Sequence, residues 1–510
     1  MIFRIVAVSI LWSFVSGPFL AYGQDKVRDL VVKVHAIRRS PDVLRPWSKL
    51  SPQNIYGSGV VIEGRRILTA AHVIQHASQI YVQPNQSAEK LAARVLAVAP
   101  GVDLALLQIE DEKFFDGRGH LPLAEELPRV KDTVNVYGYP AGGAELSVTS
   151  GIVSRIEFTD FYYSAKGLRI QVDAALNPGN SGGPAVSDGE LIGLVFSLIP
   201  SAQNIGYLIS VEEIRLFLGD VADGTYEGKP QMHDSVQAVE NGALRKRLGL
   251  PGGVGGLMVT EPYRQGDAYP LKRWDVITHI GDQAIEQDGK VAVRYDLRLS
   301  ALYLLQRHAH KGKVKLTAYR DGRRVHINPP VEWQREFVVH YLMNQSPRYF
   351  IYGPLVFSQA SQEYIERLGG QRELALIREA SSLIVRRYDK PAFAGEELVV
   401  VAAPMFPHRI TKGYDDPTAS VVSEVNGVSV KNLSHLVEIL RDASEPQLVF
   451  RFAKRADRSQ EIMVFNRAEI AAATEEVLND NGIRYQYSAD LRPVWERPRP
   501  VMPGLVREPR

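Results

Sequence analysis

The sequence predicts a mainly β protein, in which an all-β barrel or sandwich is followed by two copies of a small α+β unit. Residues 25–215 are short stretches rich in β-branched residues, separated by Gly, Pro, Asn and Asp at fairly regular spacing. An internal repeat follows, because DVITHIGDQAI at 275–285 and SVVSEVNGVSV at 420–430 align without gaps. The chain has 510 residues, which is too long for one core, so about three domains are expected.

Residues 1–23 are predicted to be a signal peptide that takes no part in the fold. One positive charge, Arg4, precedes an apolar run over 5–15. This run is shorter than the ~20 residues needed to span a bilayer, and small residues near Gly23/Gln24 fit a signal-peptidase site. The mature protein is therefore expected to be exported, with the periplasm as its compartment. An uncleaved segment would instead tether it to the membrane.

The composition is that of a soluble protein and excludes several function classes. The net charge is only +2, so no nucleic-acid partner is expected. The absence of cysteine excludes disulfides, thiolate catalysis and cysteine zinc sites. No nucleotide, cofactor or metal site is predicted.

The N-terminal domain is predicted at 24–225. A helix closes it, because Ser210 stands three residues before Glu213 and an apolar stripe follows. The stretch ADGTYEGKPQ then has the composition of a linker. The predicted strands, in chain order, are LVVKVHAI, GSGVVIEG, RILTAAHVI, QIYVQ, AARVLAVA, LALLQIE, TVNVYGYP, LRIQVDAAL, ELIGLVFSLI and NIGYLIS.

The two repeated units are predicted at 240–330 and 390–470. Each contains an alternating strand, a two-residue turn and a second strand, and the turns, Gly-Asp and Asn-Gly, are strong hairpin signals. A helical stretch is expected next in each unit, VRYDLRLSALYLLQ at 293–306 and LSHLVEILRDA at 433–443. A further strand follows each helix.

The remaining segments differ sharply in composition. Residues 331–389 are too rich in aromatic residues for a flexible linker, so they are expected to pack on the repeated units. Residues 471–510 form a C-terminal segment, whose Pro/Arg-rich tail is predicted to be disordered from about 491.

Ser181, in ALNPGNSGGPAV at 175–186, is the candidate nucleophile. GNSGG formally matches the G-x-S-x-G elbow of α/β-hydrolases, which requires a helix directly after the serine. Gly182, Gly183 and Pro184 are unfavourable in the first turn of a helix, and a strand follows them. The pattern therefore favours the other arrangement, with His and Asp before Ser in an all-β fold.

Four histidines precede Ser181, and one fits the role of base. His72 ends an apolar strand among small residues that permit close packing around an imidazole. Asp103 begins another apolar strand, where an imidazole N–H is a suitable partner for a carboxylate that is costly to bury alone. The alternatives are His35 within a strand, His76 on an expected solvent-facing helix position and His120 in a loop.

The motifs TAAHV, DLALL and NPGNSGGPAV, in that order, resemble those of the HtrA/Deg serine proteases, and plant-type Deg proteases most of all. The resemblance covers nearly the whole mature chain. It implies a chymotrypsin-type double β-barrel followed by two PDZ domains. It also implies an ATP-independent endopeptidase that degrades unfolded or damaged proteins and assembles as trimers or multiples of trimers.

The resemblance also implies roles for individual residues. Ser181 would be the nucleophile, His72 the general base and then acid, and Asp103 the group that orients His72. The backbone N–H groups of Gly179 and Ser181 would form the oxyanion hole.

Substrate specificity is expected to depend on Ala175, Phe196 and Leu198. Ala175 lies where a trypsin-like pocket carries Asp, so a basic side chain at P1, the residue before the scissile bond, would be unpaired and an aliphatic one is predicted. Leu194-Val195-Phe196 replaces the Ile-Asn-Thr that the family often shows.

Peptide binding is predicted in the first repeated unit. A PDZ domain adds an extended C-terminal peptide as a strand and holds its carboxylate with backbone amides. GGVGGLMV has a glycine-rich approach to a strand, so the predicted groove is Gly256, Leu257, Met258 and Val259. The second unit lacks such a loop and is expected to be structural or to serve assembly.

A second hypothesis belongs to another function class. The protein would be a PDZ-bearing chaperone or scaffold whose protease domain is idle in the resting state. Residues 38–57 form a long loop that is a candidate for such control.

Overall fold

The computed structural model describes residues 26–141, 143, 145–198, 205–454 and 462–498. The predicted signal peptide, with its cleavage site at Gly23/Gln24, lies outside the described residues, and so does the end of the predicted disordered tail. No helix within these ranges is long and apolar enough to cross a membrane.

The chain first forms a closed six-stranded barrel with strand order β1-β2-β3-β6-β5-β4. Closure leaves no unpaired strand edge. A short helix, Ala71–Ile74 (α1), follows the third strand. The strands are Val31–Arg38 (β1), Gln53–Ile62 (β2), Arg66–Ala70 (β3), Ala77–Pro84 (β4), Leu91–Ala99 (β5) and Leu104–Ile109 (β6).

A second closed barrel follows, with strand order β10-β11-β12-β9-β8-β7. The predicted double β-barrel is thereby confirmed. The strands are Thr133–Gly138 (β7), Ser147–Asp160 (β8), Lys166–Val172 (β9), Pro184–Ser187 (β10), Glu190–Leu198 (β11) and Gly206–Ser210 (β12).

Alternation along the strands explains why these sequences close into barrels. In β9, Leu168, Ile170 and Val172 are fully buried, whereas the residues between them are half-buried. One apolar cluster contains residues of both barrels, among them Leu104 of the first and Leu194 of the second, and so packs the two barrels together. His72 and Asp103 belong to the first barrel and Ser181 directly precedes β10 of the second, so the predicted triad lies where the two barrels meet.

The predicted capped helix is present as Val211–Asp220 (α2). The Ser210 hydroxyl accepts a hydrogen bond from the Glu213 amide at 3.4 Å. Glu213 is buried, and its two carboxylate oxygens accept hydrogen bonds from the Lys229 ammonium at 2.8 and 2.7 Å. This buried ion pair fixes the predicted linker against the helix.

The first α+β module has a sheet of order β13-β14-β15-β21-β22, with β16 paired to β15. Its first strand lies at 235–238, before the predicted boundary at 240. Its elements are Ser235–Ala238 (β13), Gly242–Arg247 (α3), Leu257–Glu261 (β14), Val276–Ile280 (β15), Gln283–Ala284 (β16), Lys290–Arg294 (β17), Leu297–Ser300 (β18), Leu305–His308 (α4), Ala309–His310 (β19), Lys313–Val314 (β20), Leu316–Arg320 (β21) and Arg323–Ile327 (β22).

The helix predicted over 293–306 is wrong in its first half. Residues 290–300 form the β17–β18 hairpin, and helical structure begins only at Ala301 with a 3-10 turn. Val291 on one strand and Leu297 and Leu299 on the other are buried, which is a period of two. Since this period matches a strand, tertiary packing selects the hairpin there.

The second module contains the other hairpin in the predicted register, with Val425 opposite Val428 across the Asn426-Gly427 turn. Both turn residues have positive φ, 49° and 77°, as a type I′ turn requires. Its elements are Tyr349–Tyr352 (β23), Leu355–Gln359 (β24), Gln362–Leu368 (α5), Gly370–Arg378 (α6), Ser382–Val385 (α7), Val399–Val401 (β25), Val422–Val425 (β26), Val428–Ser429 (β27), Leu433–Asp442 (α8), Gln447–Phe452 (β28), Ile462–Asn466 (β29), Arg467–Asp480 (α9) and Arg492–Trp495 (α10).

Most of the aromatic segment at 331–389 belongs to this second module, whereas its first residues pack on the first module, where Val331 is part of the core. Its strands β23 and β24 pair with β25, and Phe350 and Phe357 share one core with Phe450 of β28. The structure also continues past 491, where the sequence predicts the start of the disordered tail. Leu491 is fully buried, and the Trp495 ring lies 5.0 Å from that of Phe350, so apolar contacts order this stretch.

Candidate active site

His72 lies at the mouth of the cleft between the barrels, on the short helix α1. The residues on either side, Ala71 and Val73, are buried and hold the backbone, while the imidazole is 32% exposed. The Arg38 guanidinium donates a hydrogen bond to the His72 carbonyl oxygen. The histidine is therefore held by its main chain and presents its ring to the cleft.

The other candidate histidines lie elsewhere. His35 is half-buried in β1 and bonded to Gln83 at 2.9 Å, and His120 is exposed in a loop. His76, expected on a helix, instead follows α1 in a turn with φ +55°, because the helix is a single turn.

Asp103 is bonded to His72 through both of its carboxylate oxygens. Its Oδ2 lies 2.6 Å from His72 Nδ1, and its Oδ1 accepts a hydrogen bond from the His72 amide at 2.7 Å. Asp103 is 1% exposed, and its carbonyl oxygen accepts from the Ala71 amide at 3.0 Å. Such a pair sets the tautomer with the proton on Nδ1, which leaves Nε2 as an acceptor facing the cleft.

The Ser181 loop is tied to both barrels by its backbone. The Ser181 carbonyl oxygen accepts a hydrogen bond from the Ser58 amide of β2 at 2.8 Å, and the Gly182 amide donates to the Val195 carbonyl oxygen of β11 at 2.9 Å. A Cβ on Gly57 would lie 2.7 Å from Val73, next to His72, and 3.1 Å from the Ser181 carbonyl oxygen. Strand β2 therefore brings the serine loop and the histidine helix together.

Gly179 has the backbone geometry that an anion-binding turn needs. Its φ is +100°, and a Cβ would lie 2.4 Å from the Tyr139 carbonyl oxygen, so only glycine fits. The Pro178 and Gly179 carbonyl oxygens accept hydrogen bonds from the Ala141 amide at 2.6 Å and the Ser58 hydroxyl at 2.9 Å. Among the residues that the structure describes, the Gly179 and Ser181 amides donate to no acceptor. Two free N–H groups beside a serine can stabilise an oxyanion.

The predicted specificity residues differ in exposure. Ala175 is exposed, whereas Phe196 is 4% exposed and packs at 5.1 Å from the Phe161 ring and 5.4 Å from the Tyr162 ring. Phe196 thus lies on the strand that holds the serine loop, next to Val195, and has little exposed surface with which to contact a substrate. Leu198 is the last residue of β11, and its side chain lies outside the described part of the chain.

The peptide groove predicted at Gly256, Leu257, Met258 and Val259 does not agree with the structure. These residues lead into and form β14, whose two edges are both paired, one with β13 and one with β15. The side chains of Leu257, Met258 and Val259 are buried. Because a peptide adds to a free strand edge, a central strand cannot accept it.

Among the strands that the structure describes, β13 pairs with β14 alone, so the free edge belongs to β13. A cavity of about 340 Å³ lies between β13, the helical stretch at 301–308, strands β8 and β9 of the second barrel and residues 335–337. Val236 and Leu305 contribute to its apolar lining, and two buried polar atoms, Gln306 Oε1 and His233 Nε2, have no hydrogen-bond partner among the described residues. The sequence signal for β13, SVQA, is too short and too polar to be recognised as a strand on its own.

The long loop after β1 packs on the second module, a contact that no sequence pattern predicts. The Trp47 ring lies 5.6 Å from that of Phe406. The loop after β8 likewise connects the end of α1 with the segment at 331–389, because the Tyr163 hydroxyl accepts a hydrogen bond from the Gln75 side-chain amide at 3.1 Å and the Tyr163 ring lies 5.0 Å from that of Tyr341.

Two family models match this chain. Residues 57–194 match the trypsin-like peptidase domain, and residues 338–490 match the PDZ domain. The PDZ match begins inside the segment predicted as a connection, in agreement with the strands that this segment contributes to the second module.

The chain is also similar to curated proteins over most of its length. "Protease Do-like 2, chloroplastic" of Arabidopsis thaliana is 33% identical over 467 residues, which are 90% of this chain and 75% of that protein. "Protease Do-like 4, mitochondrial" of the same plant is 35% identical over 454 residues, 88% of this chain and 82% of that protein. A solved structure, "HtrA-type protease AlgW with tripeptide", matches with a TM-score of 0.49 and 24% identity over 62% of this chain and 97% of its own.

Proposed function

The chain belongs to the Do-like (Deg/HtrA) family of serine proteases, and from that premise we propose that it is an exported, ATP-independent endopeptidase that degrades unfolded or damaged proteins. One observation carries the proposal. The Asp103–His72 pair, with Oδ2 and Nδ1 2.6 Å apart, stands beside a serine loop whose two amides have no acceptor among the described residues.

The proposed reaction is acyl transfer in two halves. Ser181 Oγ attacks the scissile carbonyl carbon while His72 Nε2 takes the hydroxyl proton. The carbonyl oxygen becomes an oxyanion and accepts hydrogen bonds from the Gly179 and Ser181 amides. His72 then gives its proton to the leaving amine. A water molecule repeats the sequence on the acyl-enzyme, again with His72 as base, and releases the acid.

Labelling with a fluorophosphonate tests the nucleophile directly. This reagent phosphonylates a serine whose hydroxyl is activated by a base. In the absence of ATP, we expect one adduct, on the peptide that contains Ser181, and none after Ser181→Ala. An adduct on another serine, or equal labelling of both proteins, would contradict the assignment.

Mass spectrometry of the labelled protein, which identifies the modified peptide, also locates the N-terminus and therefore tests export. The proposal of export to the periplasm is supported by Arg4, the apolar run and the small residues before Gln24. The curated relatives above carry the words chloroplastic and mitochondrial, which describe those proteins. A mature chain that begins near Gln24 supports export. A retained Met1 in a cytoplasmic fraction would oppose it.

We further propose that the first module binds C-terminal peptides at β13 rather than at β14. The peptide would add as a strand to the free edge of β13 and place apolar side chains against Leu302 and Leu305. The module is held on the protease domain, because Glu212 of α2 accepts hydrogen bonds from the Tyr303 hydroxyl at 2.8 Å and the Gln306 amide at 3.0 Å. A bound peptide would therefore lie close to the second barrel.

Fluorescence anisotropy with a labelled peptide that ends in an apolar residue checks this groove. We expect Leu302→Asp to weaken binding about tenfold or more, because Leu302 lines the cavity, is only half-buried in the free module, and would place a charge against the apolar peptide. Arg323→Gln, on the far strand β22, is the control and should bind normally. Binding that survives Leu302→Asp would place the peptide elsewhere.

The family membership also supports two proposals about partners, one on substrates and one on assembly. Unfolded or misfolded chains would be the substrates, and the protein would assemble as a homotrimer or a multiple of trimers. Light scattering on the purified mature protein would read the assembly directly, and a monomer at micromolar concentration would contradict it.

A further inference from the structure

Arg169 of β9 is a positive charge beside the active site that the proposed reaction does not use. Its guanidinium carbon lies 4.4 Å from the centre of the Phe161 ring, 4.8 Å from Phe196 and 5.8 Å from Tyr207. Aromatic faces of this kind hold an arginine in place and leave its N–H groups pointing past the rings. The side chain is thus fixed in position before any ligand arrives.

No acid that the structure describes forms an ion pair with Arg169. Its Nε is buried and has no hydrogen-bond partner within that part of the chain. Glu157 lies opposite Arg169 across the β8–β9 pair, but its ion pair is with Arg155 at 3.1 Å, and Asp160 pairs with Lys166 at 3.5 Å. The undescribed sequence IPSAQN at 199–204, between β11 and β12, contains no acidic residue.

Burial without a partner has an electrostatic consequence. It lowers the pKa of the Arg169 guanidinium, with Glu157 acting in the opposite direction. The group still carries its charge at neutral pH, because arginine is not deprotonated in proteins. Arg169 is half-buried, and a partly desolvated cation without an ion-pair partner carries a cost that is offset when an anion binds to it.

Backbone contacts connect Arg169 to the nucleophile. Val195 is bonded to the serine loop on both sides, through the Gly182 amide at 2.9 Å and the Gly183 carbonyl oxygen at 2.9 Å. Phe196 is the next residue, and Arg169 stacks on its ring. Arg169 is therefore separated from the serine loop only by Phe196 and Val195, and an extended substrate advances ~3.4 Å per residue with side chains alternating between two sides.

We propose that Arg169 binds the carboxylate of an acidic side chain close to the scissile bond, and so gives the protease a preference for substrates with Asp or Glu at one position. This inference rests on the proposed function, whose substrate class it narrows. The guanidinium offers a planar pair of N–H donors, and a carboxylate offers two acceptor oxygens in matching geometry. The aliphatic pocket predicted for P1 remains compatible, because the acid occupies a different position of the substrate.

Paired peptides test the proposal. Each pair has blocked termini, an aliphatic residue before the scissile bond, and either Glu or its uncharged isostere Gln at one position, which is moved along the peptide. We expect kcat/KM for Glu to exceed that for Gln about tenfold at one position. The ratio should fall to near one in Arg169→Met, which keeps the apolar stacking, and should be partly retained in Arg169→Lys.

The Glu/Gln ratio separates recognition from folding, because it does not depend on the fraction of active enzyme. Arg94→Met is the matched control, since Arg94 is an exposed arginine on β5 of the first barrel whose guanidinium donates to the uncharged Gln108, and its ratio should equal that of the unmodified protein. Added salt should lower the ratio in the unmodified protein and leave the Arg169→Met ratio unchanged.

A binding arm separates failure of this inference from failure of the proposed function. With Ser181→Ala protein, anisotropy should show tighter binding of the favoured Glu peptide than of its Gln partner, whether or not cleavage occurs. Equal kcat/KM and equal affinity for the Glu and Gln peptides at every position would overturn the role of Arg169. In a second peptide series, a preference for a free C-terminus over the C-terminal amide, without a Glu effect, would overturn the assignment to an acidic side chain. Cleavage after Arg but not after Val or Ala would contradict only the aliphatic P1.

Discussion

Replacement of Ser181 by alanine is expected to lower kcat for casein by about 10⁶-fold, to a rate near the detection limit. The reason is that the variant has no nucleophile, while the His72–Asp103 pair and the free amides of the loop remain in place. The fold should be unaffected, because the links of the loop to β2 and β11 are made by backbone atoms of Ser181 and Gly182. Casein loss without ATP, followed by gel and by release of acid-soluble peptides, measures the effect.

A parallel assay of aggregation decides between the two function classes that the sequence leaves open. If the Ser181→Ala protein still suppresses aggregation of an unfolded client, it has a chaperone activity in addition to proteolysis. Equal loss of casein with both proteins would show that proteolysis does not depend on Ser181. Ser187→Ala is the matched control, since Ser187 ends β10 with its hydroxyl bonded to the Thr133 carbonyl oxygen, and it should retain full activity.

Asp103→Asn is expected to lower kcat by about 10⁴-fold with little change in KM. The Asn side chain can keep its oxygen on the His72 amide, in the place of Oδ1 at 2.7 Å. Its NH₂ group then faces Nδ1 and donates to it, so the ring proton moves to Nε2. A histidine in that tautomer cannot take the proton of Ser181.

Steady-state kinetics with a chromogenic peptide, together with thermal unfolding, measure this effect. Asp111→Asn is the control, because Asp111 is an exposed carboxylate that caps a 3-10 turn, a role that Asn also fills. The control should keep the activity of the unmodified protein. A loss below tenfold in Asp103→Asn, with the fold intact, would mean that Asp103 does not set the tautomer of His72.

Prediction from the sequence succeeds at positions where the backbone conformation admits only a few residue types. The turns Gly281-Asp282 and Asn426-Gly427 are predicted correctly, because positive φ restricts the choice of residue and sets the hairpin register. The order of His72, Asp103 and Ser181 in an all-β pattern similarly leaves few known arrangements. The structure brings these segments together through strands β2 and β11.

The errors occur where a local pattern admits two packings. Residues 293–306 are apolar enough for a helix, but the partners of Leu297 and Leu299 in the core select a hairpin. The glycine-rich entry to Leu257 suggests a peptide groove, but the pairing of β13 makes that strand central. In both cases, the core contacts of Leu297 and Leu299 and the pairing of β13 with β14, the deciding residues are distant in the sequence.

The mainly β class, the two repeated hairpins and the family could be read from residue types and their order, and the same order predicts the reacting residues His72, Asp103 and Ser181. Only the folded structure shows which strand is an edge, how strands β23 and β24 join the second module, and that Arg169 lies on Phe196 without an ion-pair partner among the described residues. These properties come from contacts between strands that are distant in the chain. Such contacts are selected by the burial of whole surfaces, and no local pattern contains that information.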